Sequence, residues 1–190
     1  MCGRYTLRNS KAVKDKHLLN IDVSYNIAPS NQVLTLTSES ALMRWSYNPT
    51  WAKTPMNLIN ARSETLSIKP SFKMAKRCLI VADGWYEWLR TNNKKQPYFF
   101  HMNDSLFNFA GIYTEYNGVK GCAIITKEAI QNLSKVHHRM PIVISNNEAD
   151  KWLSGEDVFD SKSSEDIEFH PVSTMVNSPR NNDIGCIEPI

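Results

Sequence analysis

The sequence predicts a single α+β domain, residues 1–190, built on a largely antiparallel β-sheet that curls or closes into a barrel, with a few peripheral helices. Segments with strand character outnumber helical ones, and they follow one another without a regular strand–helix–strand alternation. The length of 190 residues fits one domain. A composition that is 42% hydrophobic and 10% aromatic excludes a disordered chain and is sufficient for a sizeable core.

The local patterns place the elements in order along the chain. Asn9 or Ser10 is suited to cap the first helix and Asn60 the second, while Gly84 is expected to break an apolar strand. The predicted helices and helical turns are Lys11–Leu19, Ala61–Leu66, Ser71–Arg77, Lys127–Lys135 and Glu148–Leu153. The predicted strands are Val33–Thr37, Ala41–Trp45, Cys78–Ala82, Trp85–Trp88, Tyr98–His101, Phe107–Glu115, Gly121–Thr126, Pro141–Ser145 and Phe169–Met175. Loops are expected at Tyr47–Asn57, Thr91–Gln96 and Ser154–Asp166.

Charge and cysteine content limit the function classes. A net charge of +3 permits nucleic-acid binding without indicating it. The four cysteines form neither a CxxC pair nor a cluster with histidine, so we expect no metal site and no cofactor. No stretch resembles a signal peptide or a membrane span, which predicts no membrane partner and an intracellular, cytoplasmic protein with free thiols.

Cys2 follows the initiator methionine directly, and this position has a chemical consequence. Because Cys2 is small, Met1 is expected to be removed, leaving an α-amine and a thiol on adjacent carbons. Their pKa values of about 7.7–8.0 and about 8.5 leave reactive forms of both groups near neutral pH. Such an aminothiol condenses with an aldehyde to a Schiff base and then to a thiazolidine. Alternatively, Cys2 is a small buried hydrophobic residue at the start of a strand.

Asn60 and Arg62 stand two positions apart at a predicted helix start. Exposed N–H groups there favour anions, and the Arg62 guanidinium is suited to bind a phosphate. The alternative is an ordinary helix cap followed by a surface arginine.

Glu87 and His137 are the candidate acid–base groups. Glu87 lies in an aromatic strand whose alternation places Trp85, Glu87 and Leu89 on one face, where desolvation raises a carboxyl pKa into the range of acid–base catalysis. A structural carboxylate paired with a buried arginine is the alternative for Glu87. His137 is followed by a second imidazole, that of His138, and histidine titrates closest to neutral pH.

Tryptophans and arginines suggest contacts to single-stranded DNA, through stacking on unpaired bases and pairing with phosphates. For any one tryptophan, a place in the core is the competing interpretation. The candidate DNA-binding residues are Arg4, Arg44, Trp45, Trp51, Arg62, Arg77 and Arg139.

Assembled in order, these stretches closely resemble the SRAP family, the SOS-response-associated peptidases or abasic-site processing proteins. The matching segments run from the first residue almost to the last, and their joint occurrence makes the resemblance specific. They are Met1–Tyr5, Tyr25–Pro29, Arg44-Trp45 with Pro49 and Trp51, Asn60–Thr65, Arg77–Ile80, Ala82–Trp88, Phe109–Tyr113, His137–Pro141, and the ending from Val172-Ser173 through Val176-Asn177 to Glu188-Pro189.

The resemblance implies a crosslinking function. Family members attach covalently to abasic sites in single-stranded DNA as a thiazolidine on their N-terminal cysteine, which corresponds to Cys2. By the same correspondence Asn60 positions the abasic sugar-phosphate, Glu87 is the catalytic glutamate and His137 is the histidine of the HxRMP motif. Lyase-like Schiff-base chemistry and an autopeptidase activity that removes Met1 are implied as well. We expect a monomer that acts in the DNA damage response.

Two other functions remain open from the residues alone. One is an N-terminal-nucleophile peptidase or amidase with Cys2, His137 and Glu87 as a triad. The other is a non-catalytic reader of single-stranded DNA. For the crosslinker, Glu87 is expected to deliver protons during Schiff-base formation and His137 to act when the thiazolidine reopens.

Overall fold

Two β-sheets form most of the molecule in the computed structural model, which describes residues 2–91, 94–103, 105–130, 132–159 and 166–190. The strands are β1 Arg4–Leu7, β2 Ser24–Ile27, β3 Gln32–Leu36, β4 Ser40–Trp45, β5 Asn60–Arg62, β6 Lys76–Ala82, β7 Gly84–Thr91, β8 Lys94–His101, β9 Phe107–Tyr116, β10 Val119–Glu128, β11 Arg139–Pro141, β12 Val143–Ile144 and β13 Glu168–Pro171. The α-helices of the described residues are α1 Ser10–His17 and α2 Ala149–Ser154. Single 3₁₀ turns occupy Ser63–Thr65, Pro70–Phe72, Leu133–Lys135, Asn146–Glu148, Thr174–Asn177 and Ile184–Cys186.

Five strands close into a barrel in the order β10-β4-β3-β6-β9, because β9 also pairs with β10. Strand β10 holds further strands on both of its edges. On one edge it pairs antiparallel with β9 and then with β11. On the other it pairs parallel with β4 and then with β5. The predicted barrel-like, largely antiparallel sheet is therefore confirmed.

The second sheet is open and has the order β13-β8-β7-β1-β2. It packs on the barrel through one hydrophobic cluster to which both sheets contribute. Tyr5 of the open sheet meets barrel residues Trp45 and Phe109 edge to face, with ring centroids 5.3 and 5.8 Å apart. The two sheets thus share a core, and the groups that line their junction are withdrawn from water.

The short helices lie at the periphery, and each matches a prediction. Helix α1 is capped by Asn9, whose side-chain oxygen accepts a hydrogen bond from the Ala12 N–H at 3.0 Å, as the sequence predicted. Helix α2 buries Trp152, which donates a hydrogen bond to the Cys78 carbonyl of β6 at 2.8 Å. Neither described helix is long and apolar enough to cross a membrane.

Two predicted helices are wrong for the same physical reason. Asn60 is the first residue of β5 rather than a helix cap, because residues 60–62 pair with β10, and only a 3₁₀ turn follows. The prediction of a helix over Lys127–Lys135 fails because β10 continues to Glu128 and pairs with β11. Gln131 lies outside the described residues. Sheet pairing overrides a weak helical propensity at both places.

Smaller differences concern ends of elements. The helical turn near Ser71 is limited to Pro70–Phe72, and β6 already begins at Lys76. The last strand ends at Pro171 instead of continuing to Met175. The polar loop predicted after Thr91 is shorter than expected, since β8 starts at Lys94; residues 92 and 93 lie outside the described chain, as do residues 160–165 of the predicted surface loop.

A buried carboxylate joins the end of β1 to the turn between β6 and β7. Asp83 is fully buried and accepts hydrogen bonds from the Thr6 hydroxyl at 2.6 Å and the Asn9 N–H at 2.8 Å. It also accepts from the backbone N–H and the guanidinium of Arg8. Residue 84, the first of β7, has to be a glycine because a Cβ at this position would lie 2.3 Å from the Phe99 ring. Asp83 therefore fixes β1, and with it the start of the chain, against β7.

We predict that Asp83→Ala lowers the free energy of unfolding by about 3 kcal/mol or more, because several buried donors lose their acceptor at once. Urea unfolding monitored by tryptophan fluorescence measures the change. Asp15→Ala, on the exposed face of α1, is the matched control and is expected to stay within about 0.5 kcal/mol of the parent chain. Equal stabilities for the two variants would contradict the anchoring role of Asp83.

Candidate active site around Cys2

The open sheet brings Cys2 and Glu87 together. Strand β1 runs antiparallel to β7 with Arg4 opposite Tyr86, so the residues just before β1 run alongside Glu87. The alternation predicted for β7 is present: Trp85 belongs to the core cluster that contains Cys2, whereas Tyr86 belongs to a different cluster. Glu87 therefore points to the side of the sheet on which Cys2 is buried.

The barrel supplies Asn60 and His137 through the same strand. Asn60 is held by β5, which pairs with residues 124–126 of β10. His137 stands two residues before Arg139, which begins β11 and is paired with Glu128 of β10. Because β5 and β11 bind opposite edges of one strand, β10 sets the spacing between the Asn60 amide and the His137 imidazole.

Two contacts across the junction of the sheets bring the four groups into one site. The Asn60 side-chain N–H donates to the Cys2 carbonyl at 2.8 Å. Nδ1 of His137 lies 4.0 Å from Oε2 of Glu87. The Asn60 side-chain oxygen is buried and accepts no hydrogen bond from the described part of the chain. The structure thus places Cys2, Asn60, Glu87 and His137 close together.

Burial determines the protonation of this site. It raises the pKa of the Glu87 carboxyl to about 7 and lowers the pKa of His137 to about 4. Burial, followed by the charge of Glu87, raises the pKa of the Cys2 thiol well above its ordinary value. Near neutral pH, Glu87 is therefore the group that exchanges a proton, His137 is a neutral imidazole, and Cys2 is a thiol.

The backbone of Arg139 orients the His137 ring. Its N–H donates to Nδ1 of His137 at 3.0 Å, and its carbonyl oxygen lies 3.1 Å from the same nitrogen. A neutral imidazole can make only one of these two hydrogen bonds, and the shorter contact, from the N–H, favours an unprotonated Nδ1 with the proton on Nε2. Protonated Nδ1 would instead donate to the carbonyl.

A surface pocket of about 510 Å³ lies beside His137. It is lined by residues from the end of β7 and from the segment before β11, among them Trp88, Arg90, Lys135 and His138. Lys95 also lies over the Trp88 ring, 5.1 Å from its centroid. The pocket therefore offers an aromatic face next to several cationic side chains, which suits a nucleotide and its phosphate.

Three of the predicted DNA-binding side chains are available at the surface. Arg44 and Arg62 are exposed, and Trp51 is 56% exposed. Trp51 nevertheless donates from its indole N–H to the Pro70 carbonyl at 3.3 Å, which holds the ring in place while leaving a face open.

Four others are turned inward, which argues against direct DNA contact. Trp45 is fully buried and donates to the Ile59 carbonyl. The Arg4 guanidinium binds Asn26 and the carbonyls of residues 176 and 177. Arg77 stacks on a tryptophan and pairs with Asp157. Arg139 is 8% exposed and pairs with a glutamate. All four side chains are thus engaged by groups inside the protein, and their contact with DNA stays a prediction.

Sequence reasoning missed Arg90 and Lys135, which line the pocket next to His137. Arg90 and Lys135 belong to none of the sequence motifs, although each lies within three residues of a candidate catalytic residue. It also missed the ion pair between Glu64 and Arg139. Within the described residues, no group of three or more His, Cys, Asp or Glu side chains could hold a metal ion.

Comparison with known proteins decides the family. A model of the SOS response associated peptidase (SRAP) family matches residues 1–179. The chain belongs to the SRAP family. It is 36% identical to the abasic site processing protein YoqW of Bacillus subtilis, covering 99% of each chain. It is 35% identical to the abasic site processing protein HMCES of Gallus gallus, covering 81% of this chain and 59% of that protein.

The fold of this SRAP chain is shared with a solved structure. A protein from Bacteroides thetaiotaomicron superimposes with a TM-score of 0.83 at 23% identity, over 100% of both chains. At that identity the match concerns the fold, and it agrees with the barrel and open sheet described above.

The raised pKa of Glu87 predicts that the contribution of this residue to stability falls as pH rises, whereas the lowered pKa of His137 acts in the opposite direction. With a folded pKa of about 7 and an unfolded pKa of about 4.3, the folded state binds more protons between these values. The free energy of unfolding is then expected to fall by about 2–3 kcal/mol from pH 5 to pH 8 on account of Glu87. Urea unfolding of the parent chain and of Glu87→Gln at both values measures this contribution, which the variant should lack.

Glu128→Gln, at the exposed end of β10, is the matched control and should keep the pH dependence of the parent. Identical pH dependence in the parent and in Glu87→Gln would contradict the assignment of a titration near neutrality to Glu87.

Proposed function

We propose that this protein processes abasic sites in single-stranded DNA by forming a covalent thiazolidine crosslink through Cys2, after removal of Met1, which lies outside the described residues. The observation that carries the proposal is the convergence of Asn60 and Glu87 on Cys2, one by a direct hydrogen bond and the other by its charge. Family membership and the names of the relatives support the choice of an abasic site as substrate.

An abasic site in its ring-opened form is an aldehyde, and an aminothiol is suited to capture it. The Cys2 amine adds to the aldehyde carbon to give a carbinolamine, which loses one water to form an imine. The thiol sulfur then bonds to the same carbon while its proton passes to the nitrogen. The product is a five-membered ring, one water is released in total, and nothing is oxidised or reduced. Masking the aldehyde protects the strand from β-elimination.

Glu87 is suited to both proton transfers of this sequence. With a pKa of about 7 it is partly protonated at neutral pH and can donate to the departing hydroxyl of the carbinolamine. The carboxylate left behind can then act as a base for the Cys2 thiol, which needs one because burial raises its pKa. One carboxyl thus acts first as an acid and then as a base.

Asn60 and His137 have positioning and hydrogen-bonding roles in the proposal. Asn60 holds the Cys2 carbonyl, which restricts the backbone that carries the nucleophiles. The lowered pKa of His137 keeps the imidazole neutral at neutral pH, so it acts as a hydrogen-bonding group and not as a cationic acid. This modifies the expectation that His137 reprotonates the reopening ring: at neutral pH that donation would require the proton on Nε2.

The DNA strand is proposed to cross the exposed groups around the site. Arg44, Trp51 and Arg62 are the sequence-based candidates that remain accessible. The pocket beside His137, with Arg90 and Lys135, would take the neighbouring nucleotide. One chain carries all of these groups, so a monomer is sufficient for one lesion.

A peptidase acting on other proteins is the less favoured candidate. Its nucleophile would have to be Cys2, which is fully buried as a thiol with a raised pKa. A peptidase nucleophile needs the opposite, an exposed thiolate with a lowered pKa. Removal of Met1 from the same chain remains part of the proposal.

Cys2→Ser is expected to form little heat-stable crosslink with an abasic single-stranded oligonucleotide on a denaturing gel. The amine remains, so borohydride should still trap a Schiff base, but serine is a poor nucleophile for ring closure. Cys186→Ser is the matched control, because Cys186 is buried in another cluster and its hydrogen bond to the Asn181 carbonyl can be kept by serine.

Intact mass before and after reaction should show loss of Met1 and then addition of the oligonucleotide minus one water. Equal heat-stable yields from the parent and Cys2→Ser would rule out the thiazolidine. Peptide cleavage without a covalent band would favour the peptidase.

Arg62→Ala is expected to weaken binding to single-stranded DNA and to make its salt dependence shallower by about one phosphate contact. Fluorescence anisotropy at several salt concentrations measures the slope. Lys151→Ala, an exposed cation on α2, removes the same charge from another element and should change the slope less. An unchanged slope for Arg62→Ala would indicate a structural ion pair.

A further inference from the structure

We propose that Glu64 is a positioning residue for the His137 imidazole, acting through Arg139. The inference rests on the proposed function, in which His137 is part of the active site. Glu64 does not touch Cys2, Asn60 or Glu87 in any contact described above. Its influence would pass through one ion pair and one backbone hydrogen bond.

The ion pair between Glu64 and Arg139 is bidentate. Nη1 of Arg139 donates to Oε1 of Glu64, and Nη2 donates to Oε2 at 3.0 Å. This paired geometry fixes both the distance and the plane of the guanidinium, which a single contact would not do. The hydrogen bonds from Arg139 lower the pKa of Glu64, so its carboxylate stays charged at neutral pH.

Arg139 is held on a second side by strand β10. Nη2 also donates to the Thr126 carbonyl at 2.6 Å and lies 3.3 Å from its hydroxyl. The Arg139 side chain is only 9% exposed, whereas Glu64 is 50% exposed. Without Glu64, the buried Arg139 guanidinium would keep neutral partners but no opposite charge. Such an uncompensated buried charge is strongly destabilising, so we expect the Arg139 backbone to move.

The consequence reaches His137 because Arg139 orients the imidazole with its own backbone. The Arg139 N–H donates to Nδ1 at 3.0 Å, and the carbonyl of the same residue lies 3.1 Å from that nitrogen. The two groups demand opposite tautomers of a neutral ring. A small rotation of the Arg139 backbone would therefore exchange one tautomer for the other.

The tautomer matters because Nδ1 is also the nitrogen that faces Glu87, at 4.0 Å from Oε2. With Nδ1 as an acceptor, its lone pair is held by the Arg139 N–H, and the nitrogen carries no proton near the Glu87 carboxyl. With a proton on Nδ1, the protonated carboxyl would have a second donor nearby. Anchoring Arg139 thus keeps the imidazole compatible with a proton on Glu87.

Glu64 also connects this arrangement to Asn60. Both residues belong to the short segment that begins with β5 and continues into the 3₁₀ turn. The same segment therefore contacts the Cys2 carbonyl at one end and the support of His137 at the other. Glu64 therefore links the segment that carries Asn60 to the residue that supports His137.

The test is the tautomer of His137 in the free protein, measured by nitrogen-15 NMR of the ring, together with crosslinking kinetics. The parent should have an unprotonated Nδ1. Glu64→Ala should give a mixture of tautomers and slow crosslinking at saturating DNA by about 10-fold, within the range for a displaced catalytic group. Glu64→Gln, which keeps an acceptor oxygen, should recover part of both. The DNA concentration at half-maximal rate should change less than twofold.

Asp157→Ala is the matched control. Asp157 pairs with Arg77 at 2.7 Å, and Arg77, like Arg139, also donates to backbone carbonyls. This variant should leave the His137 tautomer and the crosslinking rate unchanged, whatever its effect on stability.

An unchanged tautomer in Glu64→Ala would overturn the inference, whether or not the rate changes. So would tighter DNA binding with an unchanged tautomer, which would mean that Glu64 screens Arg139 from phosphate. Failure of the parent to crosslink would overturn the proposed function instead, while the tautomer would still decide the role assigned to Glu64.

Discussion

The structure depends on β10 having partner strands on both of its edges. A ten-residue strand that is bonded on each side cannot tilt or slide independently of its neighbours, because every backbone group in the ladder would lose its partner. The barrel closes through this strand, and the segments carrying Asn60 and His137 are bound to its opposite edges. Two side chains separated by 77 positions are thereby held at one end of the barrel.

The open sheet supplies the other two groups of the candidate site, Cys2 and Glu87. Cys2 lies just before β1, and Glu87 lies on β7, so one antiparallel pair delivers the proposed nucleophile and the proposed acid–base group from the opposite side. Their position at the junction of two packed sheets withdraws them from water. The same desolvation that raises the pKa of Glu87 to about 7 lowers the pKa of His137 to about 4. Burial is therefore the main cause of both shifts, and each shift favours the neutral form of its group.

The arginines and tryptophans show that a sequence motif does not predict whether a side chain is exposed. Arg62 and Arg139 are both near the site and carry the same group, yet the first is exposed and the second is buried against Glu64 and Thr126. Trp51 and Trp45 are separated by six positions, yet one has a free face and the other is in the core. Residue type indicates which ligand a side chain suits, whereas burial determines whether it is available to one.

The sequence by itself was sufficient to predict most of the strands and to suggest the proposed chemistry. The identity of Cys2, Glu87 and His137 is sufficient to propose an aminothiol with acid–base partners, and alternation along β7 correctly placed Glu87 on one face. Only the tertiary structure decided that Asn60 lies in a strand and that β10 extends past residue 126. The reason is that strand pairing joins distant segments, whereas helix signals are local. For the same reason, the Glu64–Arg139 ion pair could be identified only from the tertiary structure.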